Sequence, residues 1–257
     1  MTIPAMILSA GRGERMRPLT DHTPKPLLTV HGKPLMQWHM EALARQGFTD
    51  LVVNTAWLGE KISDHFDALT NQDGLTLLSK QEQSALHTSI RYSHEGRDFG
   101  HALENTGGIV RALPMLGPHF WVLAGDVYAP DFVFSQRAVD RFIASGKLAH
   151  FWLVPNPAHN LKGDFGLSAD GLALNQADEM FTFSTIALYN RALFELPHCD
   201  IPLGNPQGIK APLPLVMRAA TALGQASAEL YTGAWTDVGT PERWAQLNQA
   251  GPARTTS

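Results

Sequence analysis

The stretch AMILSAGRGERMRPLTDHTPKPLLTVHGKPL, residues 5–35, contains the pattern that decides the fold. Ala5–Ser9 is a short apolar run typical of a buried strand, and a loop that contains glycine follows it directly. At Gly11 and Gly13 the backbone N–H groups can approach an anion without hindrance from a Cβ atom. The stretch therefore predicts a phosphate-binding loop at the end of a strand.

This loop differs from two common phosphate motifs. The chain has no G-x-x-x-x-G-K-[ST] sequence, and Met16 stands where the dinucleotide fingerprint has its third glycine. Prolines in the loop fix φ and reduce the entropy lost when the loop orders around a charged ligand. A solvated basic loop is the alternative interpretation. The basic residues are Arg12, Arg15, Arg17 and Lys25.

Composition excludes several other classes of protein. The chain has 257 residues and a formal net charge of -4, so it lacks the global cationic field of nonspecific nucleic-acid-binding proteins. Its single cysteine, Cys199, excludes an intramolecular disulfide and a zinc site made of several cysteines. The first apolar run is too short for a signal peptide or a membrane span. We therefore expect a cytoplasmic protein that binds neither nucleic acid nor a membrane.

Short apolar runs alternate with helical patterns through the first half of the chain. This alternation predicts an α/β fold, an open sheet of parallel strands with right-handed crossovers. From Ala149 onward, runs separated by Gly, Asp and Asn turns predict strands appended to that sheet. The predicted strands are 5–9, 50–54, 89–93, 120–127, 150–156, 163–175 and 179–190, and the predicted helices are 35–46, 58–69, 106–113, 211–223 and 241–249.

The opening stretch closely resembles the signature of the sugar-1-phosphate nucleotidyltransferases, A-G-x-G-x-R-M-x-P-L-T followed by P-K-P-L and a later G-K-P. LAGDV (123–127), GDFGL (163–167) and GAWTDVGTPERW (233–244) help to extend the resemblance over most of residues 4–249. The resemblance implies a Rossmann-like α/β fold with a doubly wound, mainly parallel central sheet. It also implies a reaction in which a sugar 1-phosphate oxygen attacks the α-phosphorus of a nucleoside triphosphate and pyrophosphate leaves.

We expect residues 1–257 to form a single nucleotidyltransferase domain. About 1–130 is predicted to be its nucleotide-binding half and about 131–249 its sugar-binding half. The residues after Gly251 look like a frayed tail, so 250–257 is predicted to lie outside the domain. The polar segment Thr70–Leu86 is predicted to be a surface loop.

The resemblance also assigns roles within the phosphate loop. It implies that Arg15 contacts the leaving phosphates, and that Lys25 reaches the α-phosphate and the incoming sugar phosphate. The backbone of Ala10, Gly11 and Gly13 is expected to hold the base edge and the triphosphate. Because the attacking phosphate is already an anion, the reaction needs no general base and depends on positioning and on offsetting negative charge.

Two aspartates are candidate ligands for Mg²⁺, which prefers carboxylate oxygens and needs only one or two of them from the protein. Asp126 follows an apolar run, at the strand end where open α/β sheets bind their ligands. The resemblance brings Asp237, in WTDVGT, to the same ion. An isolated aspartate at a strand end is more often a turn residue or a helix cap. Here both occur together with the phosphate loop, which favours the metal site.

The candidate residues for contact with the nucleoside match the family pattern only in part. Thr106, Gly107 and Gly108 match the E-T-G-G-G turn that packs near the nucleoside in the family, but this chain reads ENTGG. The contact of Thr106 is therefore an open question, whereas both glycines still align. Asn54 offers an amide that can pair with a pyrimidine edge or satisfy the end of its own strand.

Gly163 and Asp164, in KGDFGL, are the candidates for binding sugar hydroxyls or an acetamido group. The resemblance implies UTP as nucleotide and a sugar 1-phosphate as acceptor, with UMP transfer in bacterial cell-wall sugar recycling. The expected assembly is a monomer or a small homo-oligomer. Thymidylyl or guanylyl transfer to a hexose 1-phosphate is the alternative within the enzyme class. A catalytically silent regulatory subunit is the alternative from another class, and the retained loop cations and aspartates argue against it.

Overall fold

The computed structural model of the chain describes residues 2–71, 74–75 and 88–249. Most of the predicted surface loop Thr70–Leu86 and all of the predicted tail 250–257 lie outside these residues. The strands are β1 Ala5–Leu8, β2 Thr29–Val30, β3 Lys33–Pro34, β4 Asp50–Thr55, β5 Thr70–Asn71, β6 Gly74–Leu75, β7 Ser89–His94, β8 His119–Ala124, β9 Val127–Tyr128, β10 Ala149–Val154, β11 Phe165–Leu167, β12 Ala173–Leu174, β13 Met180–Asn190, β14 Ala226–Leu230 and β15 Thr236–Asp237.

The helices begin and end close to the predicted positions where a prediction exists. They are α1 Leu35–Arg45, α2 Gly59–Ala68, α3 Glu95–Phe99, α4 Glu104–Ala112, α5 Gln136–Ser145, α6 Leu213–Ala222 and α7 Pro241–Gln249. Short 3₁₀ helices cover Glu14–Met16, Leu19–Asp21, Lys25–Leu27, Leu113–Met115 and Arg191–Phe194.

The chain forms two compact units. Unit 1 contains Met1–Ala102, Ala124–Phe134 and Gly233–Ser257, and unit 2 contains Leu103–Leu123 and Ser135–Thr232. The predicted division into a nucleotide-binding half and a sugar-binding half stays a prediction.

Parallel pairing builds the central strands of unit 1. Strand β4 pairs in parallel with β1 and with β7, in registers that place Ala5 opposite Leu51 and Asp50 opposite Ser89. The residues Leu51–Val53 of β4 are fully buried, as expected for a parallel strand that is covered on both faces. Helix α1 is amphipathic, and its buried apolar stripe includes Met36, Met40 and Leu43.

Unit 2 contains the appended strands. The long strand β13 pairs antiparallel with β8, β10 and β11, and β11 continues antiparallel to β12. Strand β14 pairs in parallel with β10. The predicted α/β class is therefore confirmed, with parallel central strands and further strands added by the second half of the chain.

Several details differ from the prediction, and short elements such as helix α3 and strands β2, β3 and β15 were not predicted. The strand predicted over 120–127 ends at Ala124, so Asp126 lies in the turn between β8 and β9. Strand β14 was not predicted, and neither was helix α5. Helix α5 begins after Ser135, whose hydroxyl accepts a hydrogen bond from Ala138 N, and ends at Gly146 with φ 64°.

A hydrophobic cluster in unit 1 joins segments that are distant in sequence. Trp38 packs against it from helix α1, with its ring 5.3 Å from that of Tyr128. Helix α7 adds Trp244, whose Nε1 donates to Thr29 O at 2.8 Å. The cluster thus fixes the segment after the phosphate loop against the last helix. Its buried members are Met16, Leu28, Val30, Leu35, Tyr128 and Val238.

Candidate active site

The phosphate loop begins where β1 ends at Leu8. Gly11 is exposed, and a Cβ atom there would meet nothing within 4 Å. Gly13 has a left-handed backbone with φ 69°, which favours glycine. The Thr20 hydroxyl donates to Gly13 O at 2.8 Å and closes the loop on itself. The loop is thus held in shape while Gly11 remains accessible.

Two of the four basic side chains stabilise the loop from within. The guanidinium of Arg12 lies 3.5 Å from the ring centroid of Trp57 and donates to Thr20 O at 3.1 Å. Arg17 pairs with Asp21 at 2.7 Å. Both cations therefore have partners on or near the loop itself.

Arg15 differs from its neighbours in the loop. It lies in the 3₁₀ helix Glu14–Met16 and is exposed, whereas Met16 beside it is buried. Over the described residues, no ion pair is found for Arg15. Its charge is therefore available to a ligand.

Lys25 is a buried cation in the 3₁₀ helix Lys25–Leu27. Its side chain is 11% exposed, and its Nζ lies 2.5 Å from Oδ2 of Asp126, whose side chain is 36% exposed. The structure thus joins the predicted catalytic lysine to one of the two predicted metal ligands.

The two predicted metal ligands come from paired strands. In the antiparallel pair β9–β15, Asp237 is opposite Val127, and Val238 N donates to Asp126 O at 3.0 Å. The two aspartates therefore occupy neighbouring backbone positions. Two carboxylates with water or phosphate oxygens are a donor set that a divalent metal accepts, and the sharing of one ion by Asp126 and Asp237 stays a prediction. In the ranges that the structure covers, no cluster of three or more His, Cys, Asp or Glu offers an alternative metal site.

Asp237 also has a cationic partner that was not predicted. Arg243 at the start of α7 forms an ion pair with Asp237, and both side chains are largely buried. Gly239 lies against this pair, because a Cβ atom at Gly239 would be 3.0 Å from Arg243 Cζ and 3.2 Å from Asp237 Oδ2. The absence of a side chain at Gly239 leaves room for the guanidinium.

A buried histidine supports the turn that carries Asp126. His39 on α1 donates from Nε2 to Val127 O at 2.7 Å. Burial lowers the pKa of His39 to about 4, although the hydrogen bond to Val127 and the charge of Asp126 oppose that shift. The ring is therefore neutral at physiological pH and acts as a hydrogen-bond donor.

Asn54 is buried, and its amide has partners inside unit 1. Its Oδ1 accepts from Ser9 N at 2.8 Å, and its Nδ2 donates to Glu95 Oε1 at 2.7 Å. Glu95 is fully buried. This chain of hydrogen bonds fixes the residue at which the phosphate loop leaves β1. Pairing of Asn54 with a nucleobase stays a prediction.

The predicted nucleoside turn lies in the first turns of helix α4, in unit 2. The N–H groups of Thr106 and Gly107 donate to Ala211 O at 2.9 and 3.3 Å. A Cβ atom at Gly107 would collide with Ile209 O. Close packing against Ile209 thus explains why position 107 is a glycine. The contacts of Thr106, Gly107 and Gly108 with the nucleoside stay predictions.

Gly163 and Asp164 form a tight turn in unit 2. Gly163 has φ 65°, and its Cβ position lies 2.8 Å from backbone atoms of β13. Oδ2 of Asp164 accepts from Phe183 N at 2.8 Å, and Asn160 Nδ2 also donates to it. A cleft of about 390 Å³ adjoins the turn, and it is lined by Pro155, Asn156, Leu161, Lys162, Asp178, Glu179, Met180 and Phe181. Sugar binding by this turn stays a prediction.

Sequence reasoning missed three residues that support the site. Arg243 stands six positions after Asp237, in the same motif, so an acidic ligand followed by a cation was a usable signal. The roles of His39 and Glu95 depend on helices and strands that meet only in the folded chain, and nothing in the local sequence indicates them.

The α/β fold and the glycine loop after β1 agree with what the resemblance implies for a nucleotidyltransferase. The chain belongs to the nucleotidyl transferase family, which matches residues 4–169. The match confirms the resemblance seen in the opening stretch, and the chain is a nucleotidyltransferase.

Two curated relatives match almost the whole chain, and a third matches about half of it. It is 41% identical over 240 residues to the N-acetylmuramate alpha-1-phosphate uridylyltransferase of Neisseria meningitidis serogroup B, covering 92% of this chain and 93% of the relative. It is 29% identical over 248 residues to the enzyme of the same name from Caulobacter vibrioides, covering 93% and 92%. A 130-residue match to a UTP–glucose-1-phosphate uridylyltransferase of Synechocystis is 35% identical and spans 48% of this chain and 30% of the relative.

Solved structures share the fold. UDP-glucose pyrophosphorylase from Acinetobacter baumannii superposes with a TM-score of 0.70 at 15% identity, covering 96% of this chain and 92% of that one. HddC from Yersinia pseudotuberculosis, complexed with GMP-PN, gives a TM-score of 0.66 at 17% identity, covering 96% and 99%. None of the helices in the described residues is long and apolar enough to cross a membrane.

Proposed function

We propose that this enzyme transfers UMP from UTP to N-acetylmuramate 1-phosphate and releases pyrophosphate, as a step of bacterial cell-wall sugar recycling in the cytoplasm. The observation that carries the proposal is the pairing of Lys25 with Asp126 beside the phosphate loop, which places a buried cation next to a candidate metal carboxylate. The substrate assignment is supported by the 41% identity to the Neisseria enzyme over most of both chains.

The reaction is an in-line displacement at the α-phosphorus. A phosphate oxygen of the sugar 1-phosphate forms the new bond while the bond from the α-phosphorus to the bridging oxygen of pyrophosphate breaks. The attacking oxygen carries no proton to be removed, so the protein needs no base and contributes charge and position.

Unit 1 provides the groups for the triphosphate. The open backbone at Gly11 can donate N–H groups to phosphate oxygens, and exposed Arg15 can neutralise the departing pyrophosphate. Lys25 can offset the repulsion between the attacked and attacking phosphates as they approach. Ala10 and Gly13 complete the loop around the triphosphate.

Asp126 and Asp237 are the residues that would hold Mg²⁺. When bound, this ion polarises the α-phosphate and offsets its charge. Of the remaining groups, Asn54 and the Thr106–Gly108 turn are proposed to contact the nucleoside. The turn of Gly163 and Asp164, beside its cleft, is proposed to contact the sugar. The proposed assembly is a monomer or a small homo-oligomer.

Pyrophosphate release tests the reaction. UTP, dTTP, GTP and CTP are each combined with N-acetylmuramate 1-phosphate, glucose 1-phosphate and mannose 1-phosphate in the presence of Mg²⁺. We expect the highest kcat/KM for UTP with N-acetylmuramate 1-phosphate. A clear preference for dTTP or GTP with a hexose 1-phosphate would contradict the proposed substrates and leave the reaction class standing. Absence of turnover with every pair would contradict the reaction itself.

Neutralising either aspartate tests the proposed metal ligands. Asp126→Asn and Asp237→Asn retain an oxygen acceptor but lose the charge, so we expect turnover to fall by at least about a hundredfold. Asp140→Asn, an exposed aspartate on α5, is the matched control and should retain activity. Activity of Asp126→Asn or Asp237→Asn within a few-fold of wild type would remove that residue from the site.

A further inference from the structure

Each of the two proposed metal carboxylates is paired with a cation from the same unit. The side chain of Lys25 forms an ion pair with Asp126, and that of Arg243 forms an ion pair with Asp237. The exposed fraction of the side chain is 11% for Lys25 and 18% for Arg243. These values distinguish the pairs from mobile surface pairs, which contribute little. In formal charge, the two carboxylates and the two cations cancel.

The pair of Arg243 with Asp237 is built into its surroundings. Arg243 lies in the first turn of α7, where its N–H donates to Thr240 Oγ1 at 3.3 Å. Any side chain at Gly239 would overlap the guanidinium, because the Cβ position is 3.0 Å from Arg243 Cζ. The TDVGTPER segment therefore brings Arg243 onto Asp237 as a counter-charge.

We infer that Arg243 is a positioning residue that keeps divalent metal from binding alone and makes metal binding depend on the nucleoside triphosphate. This inference rests on the proposed function. A bare divalent cation would have to approach Asp237 against the charge of Arg243, and Asp126 against that of Lys25. A charge that is already neutralised attracts a second cation only weakly.

A triphosphate reverses this balance. Its phosphate oxygens attract Lys25 and Arg15, which releases Asp126 from its ion pair and adds negative charge beside both aspartates. A divalent cation held by the released carboxylate would then have both carboxylate and phosphate oxygens as ligands, which is the mixed ligand set that Mg²⁺ accepts. Coupling of this kind is reciprocal, so the metal must also strengthen binding of the triphosphate.

Binding of Mn²⁺ tests the inference without any turnover, since Mn²⁺ is a paramagnetic ion with the same preference for oxygen ligands as Mg²⁺. Free Mn²⁺ is measured by electron paramagnetic resonance during titration of the protein alone. We expect Arg243→Gln, which removes the charge, to bind Mn²⁺ about tenfold more tightly than wild type. Arg243→Lys, which keeps the charge, should stay within about threefold of wild type.

Arg141→Gln is the matched control. Arg141 pairs with Glu229 on an exposed surface of unit 2, so its loss changes the net charge equally without touching either aspartate. We expect Mn²⁺ binding by Arg141→Gln to remain within about twofold of wild type. Near-UV circular dichroism verifies the fold of each variant, and Arg243→Met serves if Arg243→Gln does not fold.

Two outcomes overturn the inference. In the first, the neutral Arg243 variant binds Mn²⁺ no more tightly than wild type. In the second, Arg141→Gln gains as much Mn²⁺ affinity as the Arg243 variant. A second titration, of wild type with Mn²⁺ and UTP but no sugar phosphate, is compared with Mn²⁺ and UTP alone, because UTP itself binds Mn²⁺, and it separates this failure from failure of the proposed function. Formation of a ternary complex supports the metal–nucleotide site whatever the Arg243 variants show. Absence of that complex contradicts the proposed function itself.

Discussion

Replacing Lys25 with methionine removes one charge from the site and nearly preserves the volume of the side chain. The lysine is largely buried, so its charge is poorly screened by water. At an effective dielectric constant of about 20, two unit charges about 4 Å apart interact by about 4 kcal/mol. Loss of one charge-assisted contact in a preorganised site typically costs about 3 kcal/mol of transition-state stabilisation. We therefore expect kcat to fall on the order of a hundredfold.

The effect on folding should be much smaller than the effect on turnover. Asp126 is the partner that remains, and 36% of its side chain stays in contact with solvent. We expect a loss of about 1 kcal/mol in the free energy of unfolding, because water can solvate that carboxylate. Urea denaturation of Lys25→Met and wild type measures this difference.

Arg17→Met is the matched control for the loss of a loop cation. Arg17 pairs with Asp21, but 56% of its side chain is exposed. Steady-state pyrophosphate release with UTP, N-acetylmuramate 1-phosphate and saturating Mg²⁺ should give a kcat within about threefold of wild type. A wild-type kcat in Lys25→Met, or an equal loss of activity in both variants, would contradict the proposed role of Lys25.

Three further predictions concern other residues of unit 1. Arg15→Ala should raise the KM for UTP about tenfold or more and also slow pyrophosphate departure; an unchanged KM in the same assay would contradict its contact with the leaving phosphates. Gly96→Ala should lower the free energy of unfolding by about 2 kcal/mol in urea, because the new Cβ would lie 2.5 Å from Ala56 O. Gly11→Ala, with no atom within 4 Å, should leave that free energy nearly unchanged. For His39, whose folded pKa is about 4, the unfolded chain takes up a proton first as the pH falls. Unfolding free energy should therefore drop by about 3 kcal/mol between pH 6.5 and 4, and His39→Gln should lack that part of the drop.

The sequence predicts those parts of the site that depend on short patterns. An apolar run followed by Gly11 and Gly13 has few structural solutions, so the strand and loop could be placed from residues 5–13 alone. The same holds for Pro241–Gln249, which begins with proline at the first helical position. In both cases the local preference agrees with the fold.

Ion-pair partners inside the site could not be placed in this way. Lys25 and Asp126 are separated by 101 positions, and their contact depends on the turn that follows β8. Arg243 is close to Asp237 in sequence, but a cation at the start of a helix does not by itself indicate which carboxylate it neutralises. The packing of the folded chain determines which carboxylate pairs with each cation.

Two elements of unit 2 were missed for opposite reasons. Helix α5 carries usable signals, a serine cap at Ser135 and a terminal Gly146, so the prediction overlooked available information. Strand β14, ASAEL, contains no β-branched or aromatic residue that favours a strand. Its pairing with β10 imposes the extended conformation, and that neighbour cannot be inferred from five residues.

The cluster that joins Met16, Tyr128 and Val238 has a consequence for synthesis of the protein. The ribosome synthesises the phosphate loop early, but Tyr128 follows more than a hundred residues later, and Val238 and Trp244 follow more than a hundred residues after Tyr128. Contacts between such distant positions form slowly, because long stretches of chain must close before any burial is gained. During synthesis, the apolar residues that flank the phosphate loop, such as Met16 and Leu28, therefore stay exposed to chaperones until α7 has been synthesised and packs against them.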